Sequence, residues 1–326
     1  MMAWGKNSEY TELNFKYMRI NGKVETLLDF LLRRFRYLDE NQWRKNIKDK
    51  LVWVDDKLGY ENLKLCSNQK IIYFRPDHLE PIVDKNFEVV FEDNSLIGLN
   101  KSGNLPTSPS GKYFKNTLSS LIKKKFGWQK IYTLHRLDRE TSGVIIFGKS
   151  LKIAQKMASH FQNKRIEKIY SAILSNHLPN NSNNKSSEIY ISLPIGKDKN
   201  SKIRIKQSVN SKGKPSQTHF KEIEKIGNYS IVEVRPLTGR THQIRVHASH
   251  IGCSILGDKL YGLPNDGFIN WLNEGDKFLK EQNFPLHRQL LHALEISFPH
   301  PITNKDTVIR ADENNFFKEL KKPFYK

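Results

Sequence analysis

The chain has 326 residues, length enough for two ordinary domains, and its 37% apolar and 11% aromatic content supports packed cores rather than wholesale disorder. No apolar run approaches the roughly 18 residues of a membrane-spanning helix. The opening ten residues lack the apolar stretch of a secretory signal, and Cys66 and Cys253 alone allow neither a disulfide framework nor a four-cysteine zinc site. A soluble, cytoplasmic protein is expected.

Charge narrows the partners. Lys and Arg number 54 against 34 Asp and Glu, a formal net charge of +20. Such a field repels itself and attracts polyanions, which puts nucleic acid first among partners. An acidic membrane surface comes second, but no basic amphipathic helix stands apart as an anchor. A chain simply rich in Lys would carry the same charge with no such partner.

In chain order, Val24, Leu27, Leu28, Leu31 and Phe35 fall at helical spacing, with Arg33, Arg34 and Arg36 crowding the C-terminal turn. Asp39 can cap a second helix with Trp43 and Ile47 on one side and Arg44, Lys45 and Lys48 on another. Leu51 to Val54 and Ile71 to Phe74 read as strands, with a turn at Asp55-Asp56-Lys57. Two basic helices followed by strands suit an RNA-binding unit and a solvated helical hairpin equally well. Order and length over residues 1–80 resemble the alpha-L RNA-binding domain. Leu27-Leu28-Asp29 stands where that family has Arg-Leu-Asp, the usual Ser-Arg of the second helix is missing, and Asp55-Asp56 replaces Asn-Gly. Arg33, Arg34, Arg36, Arg44, Lys45 and Lys48 are the candidate RNA contacts.

Arg75 to Pro81 reads as a linker, because its paired prolines disfavour helix and strand. A larger domain spans 84–326. It holds strand-like runs such as Val89-Val90-Phe91 and Val144 to Phe147, a helix from Leu151 to Phe161, and a polar loop from Pro179 to Ser187. Strands and helices do not alternate regularly. The expected fold is therefore α+β, a mixed and mainly antiparallel sheet with flanking helices, beside a small N-terminal α/β domain.

Two segments carry chemistry. Tyr132-Thr133-Leu134-His135-Arg136-Leu137-Asp138-Arg139-Glu140-Thr141-Ser142-Gly143 lies between two strand-like runs, so its charges sit on a loop. Asp138, between Arg136 and Arg139, is expected to be ionised by those cations. A lone carboxylate in such a loop also suits a structural brace. The second segment, Leu237 to His247, reads as a loop entering a helix that stops at Gly252. Ile244, Ala248 and Ile251 form its buried face and leave Arg245 directed elsewhere. His242 and His247, five apart, do not share a helical face as a metal pair would, and no metal site is expected.

Together these segments resemble the RluA type of pseudouridine synthase. His135 to Gly143 matches that family's signature, and Lys168-Ile169-Tyr170-Ser171-Ala172 is similar to its next motif. Leu237 to His247, Gly257-Asp258-Lys259-Leu260-Tyr261-Gly262, Leu291-His292-Ala293 and His300-Pro301 follow in order. Asn100-Lys101-Ser102-Gly103 departs from the family's Asn-Lys-Pro-Ala-Gly, and Pro264 to Leu286 is longer than usual; both are expected to bear on rim shape and substrate choice rather than on chemistry. The resemblance implies an isomerase that detaches uracil at N1, turns it and rejoins it through C5, with no cofactor. It implies Asp138 as the essential carboxylate, acting as nucleophile or as base, and Arg245 as its ion-pair partner. Tyr170 would lie against the base, and Arg136 would fill the gap left by the flipped uridine. Ribosomal RNA of the large subunit is favoured over transfer RNA as substrate, and a monomer is expected. The competing class is a non-catalytic RNA-binding or ribosome-assembly protein, which loss of Asp138, Tyr170 or Arg245 would have favoured; all three are present.

Overall fold

The computed structural model describes residues 10–19, 22, 24–35, 38–76, 80–179, 187–264, 266–284 and 286–318. The chain folds as two compact units, Met1–Pro81 and Ile82–Lys326.

The first unit runs β1 (Tyr10–Lys16), α1 (Leu27–Arg34), α2 (Glu40–Lys48), β2 (Val52–Val54), β3 (Lys57–Leu58) and β4 (Lys70–Pro76). Both helices begin with reciprocal caps: Thr26 with Asp29, and Asp39 with Gln42. The Thr26 cap sets the start of α1, so Val24 lies outside it and is exposed, contrary to the periodicity. Leu27, Leu31, Phe35, Trp43 and Ile47 close one core with Ile71 and Tyr73. Trp43 meets the Tyr73 ring edge-on at 4.8 Å. The four-stranded sheet is ordered β1-β4-β2-β3. Strand β1 was not expected. It pairs along all of β4, and this pairing draws Arg75 and Pro76, assigned above to the linker, into the sheet. Pro76 is tolerated because it ends the strand. Arg36 and residues 77–79 of the linker lie outside the described residues, as do 180–186 of the polar loop.

The second unit begins with β5 (Phe87–Glu92), β6 (Leu96–Lys101), α3 (Leu118–Phe126), β7 (Tyr132–Thr133), β8 (Ser142–Gly148), α4 (Leu151–Gln162) and β9 (Glu167–Leu174). It continues through β10 (Glu188–Ser192), β11 (Ile195–Lys197), β12 (Gln207–Val209), β13 (Gln217–Ile226), β14 (Tyr229–Pro236) and α5 (Gln243–His250). It closes with α6 (Gly267–Glu274), α7 (Asp276–Glu281), β15 (Leu291–Pro299), β16 (Asp306–Arg310) and α8 (Asn314–Lys318). Ten strands form one sheet, ordered β10-β13-β14-β9-β15-β8-β6-β5, with β16 beside β15 and β7 beside β8. Its pairings are antiparallel except β15 with β8. The fold is thus α+β with a mainly antiparallel sheet.

Alternation along the strands gives the sheet two apolar faces. On one, Leu99, Ile145, Tyr170, Ala172 and Val234 pack with Leu118 and Ile122 of α3 and with Ile244 and Ala248 of α5. On the other, Val144, Ile146, Ile296 and Phe298 pack with Ile153 and Met157 of α4. Gly143 marks where β8 meets β15. Its φ is +106°, and a Cβ there would be driven into the carbonyl of Ala293. Gly111 also has positive φ, +57°, but open space around it. We expect Gly143→Ala to lower stability by about 3 kcal/mol or more and Gly111→Ala by about 1 kcal/mol. Urea unfolding of the two variants side by side measures this; equal losses would show that strand approach is not the constraint.

Candidate active site

The loop between β7 and β8 is held by contacts to its backbone. The Leu105 N–H donates to the Arg139 carbonyl at 3.0 Å. Thr107 Oγ1 donates to the Leu137 carbonyl at 3.0 Å and accepts the Leu137 N–H at 3.3 Å. Lys101 Nζ donates to the carbonyls of Ser102, at 2.8 Å, and Arg139, at 3.1 Å. Arg288 Nη1 donates to the Glu140 carbonyl at 3.0 Å. His135 accepts the Ile146 N–H on Nε2 at 3.1 Å. Burial, and then the charge of Lys168, lowers the His135 pKa to about 3, so this ring is neutral.

The Lys101 contacts correct the sequence reading. Asn100 to Gly103 was expected to bear on rim shape and substrate choice, yet Lys101 is fully buried and bonded to the signature loop. Burial, reinforced by Arg288, lowers its pKa to about 7. Gly103 lies flat beneath Arg288, where a Cβ would strike that side chain. The long segment after Pro264 also reaches inward, setting Trp271 5.1 Å from the Lys259 ammonium.

Asp138 faces Arg245, whose Nη1 donates to Oδ2 at 2.7 Å. The same guanidinium donates Nε and Nη2 to the two oxygens of Asp258, at 2.6 and 2.8 Å. Asp258 has no exposure, and its Oδ1 also accepts the N–H groups of Leu260 and Tyr261 at 3.0 and 3.2 Å. Arg245 is therefore clamped between two carboxylates, a fork geometry suited to guanidinium. Burial alone would raise the Asp138 pKa, but the charges of Arg245 and then His242 hold it below the usual carboxylate range.

This arrangement revises two expectations. The cations beside Asp138 in sequence do not serve it: Arg139 bonds Glu140 at 2.8 Å and the Tyr113 hydroxyl at 2.6 Å, and Arg136 is exposed with no hydrogen bond or ion pair among the described residues. Glu140 belongs to a second network with Lys259, at 3.0 Å. Helix α5, expected to be amphipathic, is buried from Gln243 through Ala248. Arg245 is inside because its charge is matched there. His242 precedes the helix in the left-handed region, φ 56°, and places Arg245 in the first turn.

Tyr170, on β9, is 9% exposed; burial and then the negative charge of Asp138 raise its hydroxyl pKa. A tyrosine ring beside an ionised carboxylate can stack a flat base against the reacting group. Sequence reasoning did not find Asp258, Lys101, Tyr261 or His242 as site residues. His242 Nδ1 lies 2.9 Å from the Tyr261 hydroxyl, and His242 Nε2 lies 3.9 Å from Asp138 Oδ2. The motif Gly257 to Gly262 was the available signal for Asp258 and Tyr261. Among the described residues, no group of three or more His, Cys, Asp or Glu is placed to hold a metal ion. His247 instead contacts Thr218 and the Leu193 carbonyl.

A β-sheet scaffold that brings a half-buried carboxylate, a buried guanidinium and a buried tyrosine together from a loop, a helix and a strand matches a known class. Residues 95–250 match the RNA pseudouridylate synthase family. Ribosomal large subunit pseudouridine synthase D of Zymomonas mobilis subsp. mobilis is 30% identical over 267 residues, 78% of this chain and 79% of that protein. Ribosomal large subunit pseudouridine synthase C of Buchnera aphidicola subsp. Baizongia pistaciae is 29% identical over 327 residues, 97% and 98% of the two chains. The structure of human RNA pseudouridylate synthase domain containing 1 superposes with a TM-score of 0.55 at 25% identity, covering 72% of this chain and 86% of its own. The chain belongs to the RluA-type pseudouridine synthase family. It is an isomerase acting on RNA.

The clamp makes a signed expectation for titration. Asp138 holds its charge above its lowered pKa and loses it as pH falls through that value. Arg245→Met removes the largest influence opposing burial, so the Asp138 carboxyl should titrate at higher pH. Asp258→Asn frees Arg245 from a competing negative charge, so Asp138 should titrate at lower pH. Following the Asp138 carboxyl carbon by NMR in both variants measures this. Shifts of the same sign would show that Arg245 is not the controlling charge.

Proposed function

We propose that this protein converts specific uridines of large-subunit ribosomal RNA to pseudouridine, with Asp138 as the essential carboxylate. The observation that carries the assignment is the buried Arg245–Asp138 contact of 2.7 Å, set beside Tyr170. Arg245 keeps the carboxylate ionised and aimed, Tyr170 supplies a stacking face for the base, and Arg136, free and exposed, fills the space left in the RNA. No carboxylate beyond Asp138 is required to activate water, because the reaction returns the base to the same ribose. The ribosomal substrate is favoured by two relatives whose names place them on the large subunit. Transfer RNA is the alternative substrate. The protein acts in this reading as a cytoplasmic monomer; among the described residues no helix is long and apolar enough to cross a membrane.

The N-terminal unit contributes phosphate contacts. Its cations are not equivalent. Arg33 is bonded to Glu25, and Arg44 to Glu40 and Glu61, whereas Lys45 and Lys48 are exposed with no side-chain partner among the described residues. Arg34 lies 5.7 Å from the Phe15 ring. Lys45 and Lys48 therefore carry the freest charge.

Two measurements test the reading. Asp138→Asn should reduce pseudouridine formation below about one percent of wild type while RNA affinity stays within a few-fold; retained turnover would remove the essential role. In single-stranded RNA binding between 50 and 200 mM salt, Lys45→Gln with Lys48→Gln should lower the salt slope by about 1.4, near 0.7 per lost contact. Arg44→Gln should lower it by less than half as much as the pair. An unchanged slope in the double variant would take the N-terminal unit out of RNA binding.

A further inference from the structure

We infer that Lys168 binds a backbone phosphate of the RNA next to the target uridine, a subsite that rests on the assignment of the Asp138 centre above. The fully enclosed cations of this unit are matched: Arg245 by two carboxylates, Lys259 by Glu140, and Lys101 by two carbonyls. Lys168 is not matched in this way. Its side chain is half-buried, yet its ammonium has no hydrogen bond and no ion pair among the described residues. Its surroundings are the Phe161 ring, 5.9 Å away, and the neutral His135. Burial lowers its pKa, with no carboxylate near enough to oppose that. A partly desolvated cation without a counter-charge is costly, and an anion arriving with the substrate removes that cost.

Position identifies the anion. Lys168 stands two residues before Tyr170 on β9, so strand alternation puts both on one face, about 7 Å apart along the strand. Tyr170 lies within reach of the Asp138 charge. Gly239, exposed at the turn after β14, lies against the ammonium: a Cβ at Gly239 would have the Lys168 Nζ at 3.6 Å and nothing else within 4 Å. The ammonium thus opens onto unfilled space beside the base-stacking ring. An RNA strand that delivers a uracil to Tyr170 carries its phosphodiester oxygens past this opening. Phosphate oxygens accept charge-assisted hydrogen bonds from an ammonium of any orientation.

A scan with methylphosphonate linkages, which neutralise one phosphate at a time, tests the subsite. Dissociation constants and pseudouridine formation are measured for each RNA with wild-type protein, Lys168→Met, Lys168→Arg and Gly239→Val. For wild type, one neutral linkage within a nucleotide of the target should weaken binding by roughly tenfold to a hundredfold. Lys168→Met should bind the RNAs that keep this phosphate more weakly by a similar factor and be insensitive to that linkage, while keeping its sensitivity to the others. Lys168→Arg should restore the sensitivity, and Gly239→Val, which fills the opening without touching the charge, should abolish it. Equal sensitivity of wild type and Lys168→Met at every linkage overturns the proposal, as does unaltered affinity of Lys168→Met. Should Lys168→Met fail to fold, Gly239→Val decides alone, and retained sensitivity in it overturns the subsite. The two assignments separate cleanly: absence of pseudouridine in every RNA tested refutes the Asp138 reading, and the binding scan still reports on Lys168.

Discussion

One guanidinium, that of Arg245, organises the catalytic unit. It is buried between Asp138 and Asp258, and three segments distant in sequence meet around it: the β7–β8 loop, the first turn of α5 and the turn at Gly257 to Gly262. Taking three charges out of water is unfavourable unless they are closely paired, and removing one partner of such a set costs about 3–5 kcal/mol. The cluster can therefore form only when all three segments are in place. Geometry at Asp138 is a property of the closed fold, not of the loop.

Rigidity of that loop has a separate origin. Its carbonyls at Leu137, Arg139 and Glu140 are bonded by Thr107, Lys101 and Arg288 respectively. Loops that carry reactive groups work when a scaffold fixes them, and here the fixing groups act on the backbone. The side chain of Asp138 is left to Arg245. Arg139 and Glu140 complete a neighbouring network with Tyr113 and Lys259, which explains two charges of the signature that do not face the Asp138 carboxylate. Within nine residues the signature therefore contains a carboxylate paired at long range, a cation without a partner among the described residues, and a brace.

Much of this was legible in the sequence, and the remainder has identifiable causes. Apolar spacing and capping residues located α1, α2, α4 and α5 closely, because those signals are local. Strand β1 was missed because its alternate side chains are exposed and only Thr11, Leu13 and Phe15 are partly covered, too weak an apolar signal to mark a strand. The α5 stripe misled because burial of Arg245 depends on charges from elsewhere. Arg136 and Arg139 looked like partners of Asp138 by adjacency, yet adjacent residues on an extended loop point apart. Asp258 and Lys101 sit in motifs that were noticed, but nothing in one sequence says which distant motif a guanidinium or an ammonium will reach. Ionic pairing at long range is the part of the site that only the fold decides.

The same distinction governs how the net charge of +20 should be read. Structural cations such as Arg245 and Lys259 are neutralised inside, and surface cations such as Arg33, Arg44 and Lys149 are bonded to neighbouring glutamates. What remains for contact is a smaller group that includes Arg136, Lys168, Lys45 and Lys48. The field of the whole protein draws RNA in, and in the proposed reading these free groups set where it lies. An approaching RNA brings its own negative charge toward Asp138, which would favour protonation of the carboxylate just as substrate arrives. Arg245, in direct contact and shielded from solvent, opposes this more strongly than any exposed cation can, since a buried charge is screened least. A site that must remain anionic beside a polyanion therefore needs its countercharge inside the protein, and Asp258 is what keeps that countercharge in position.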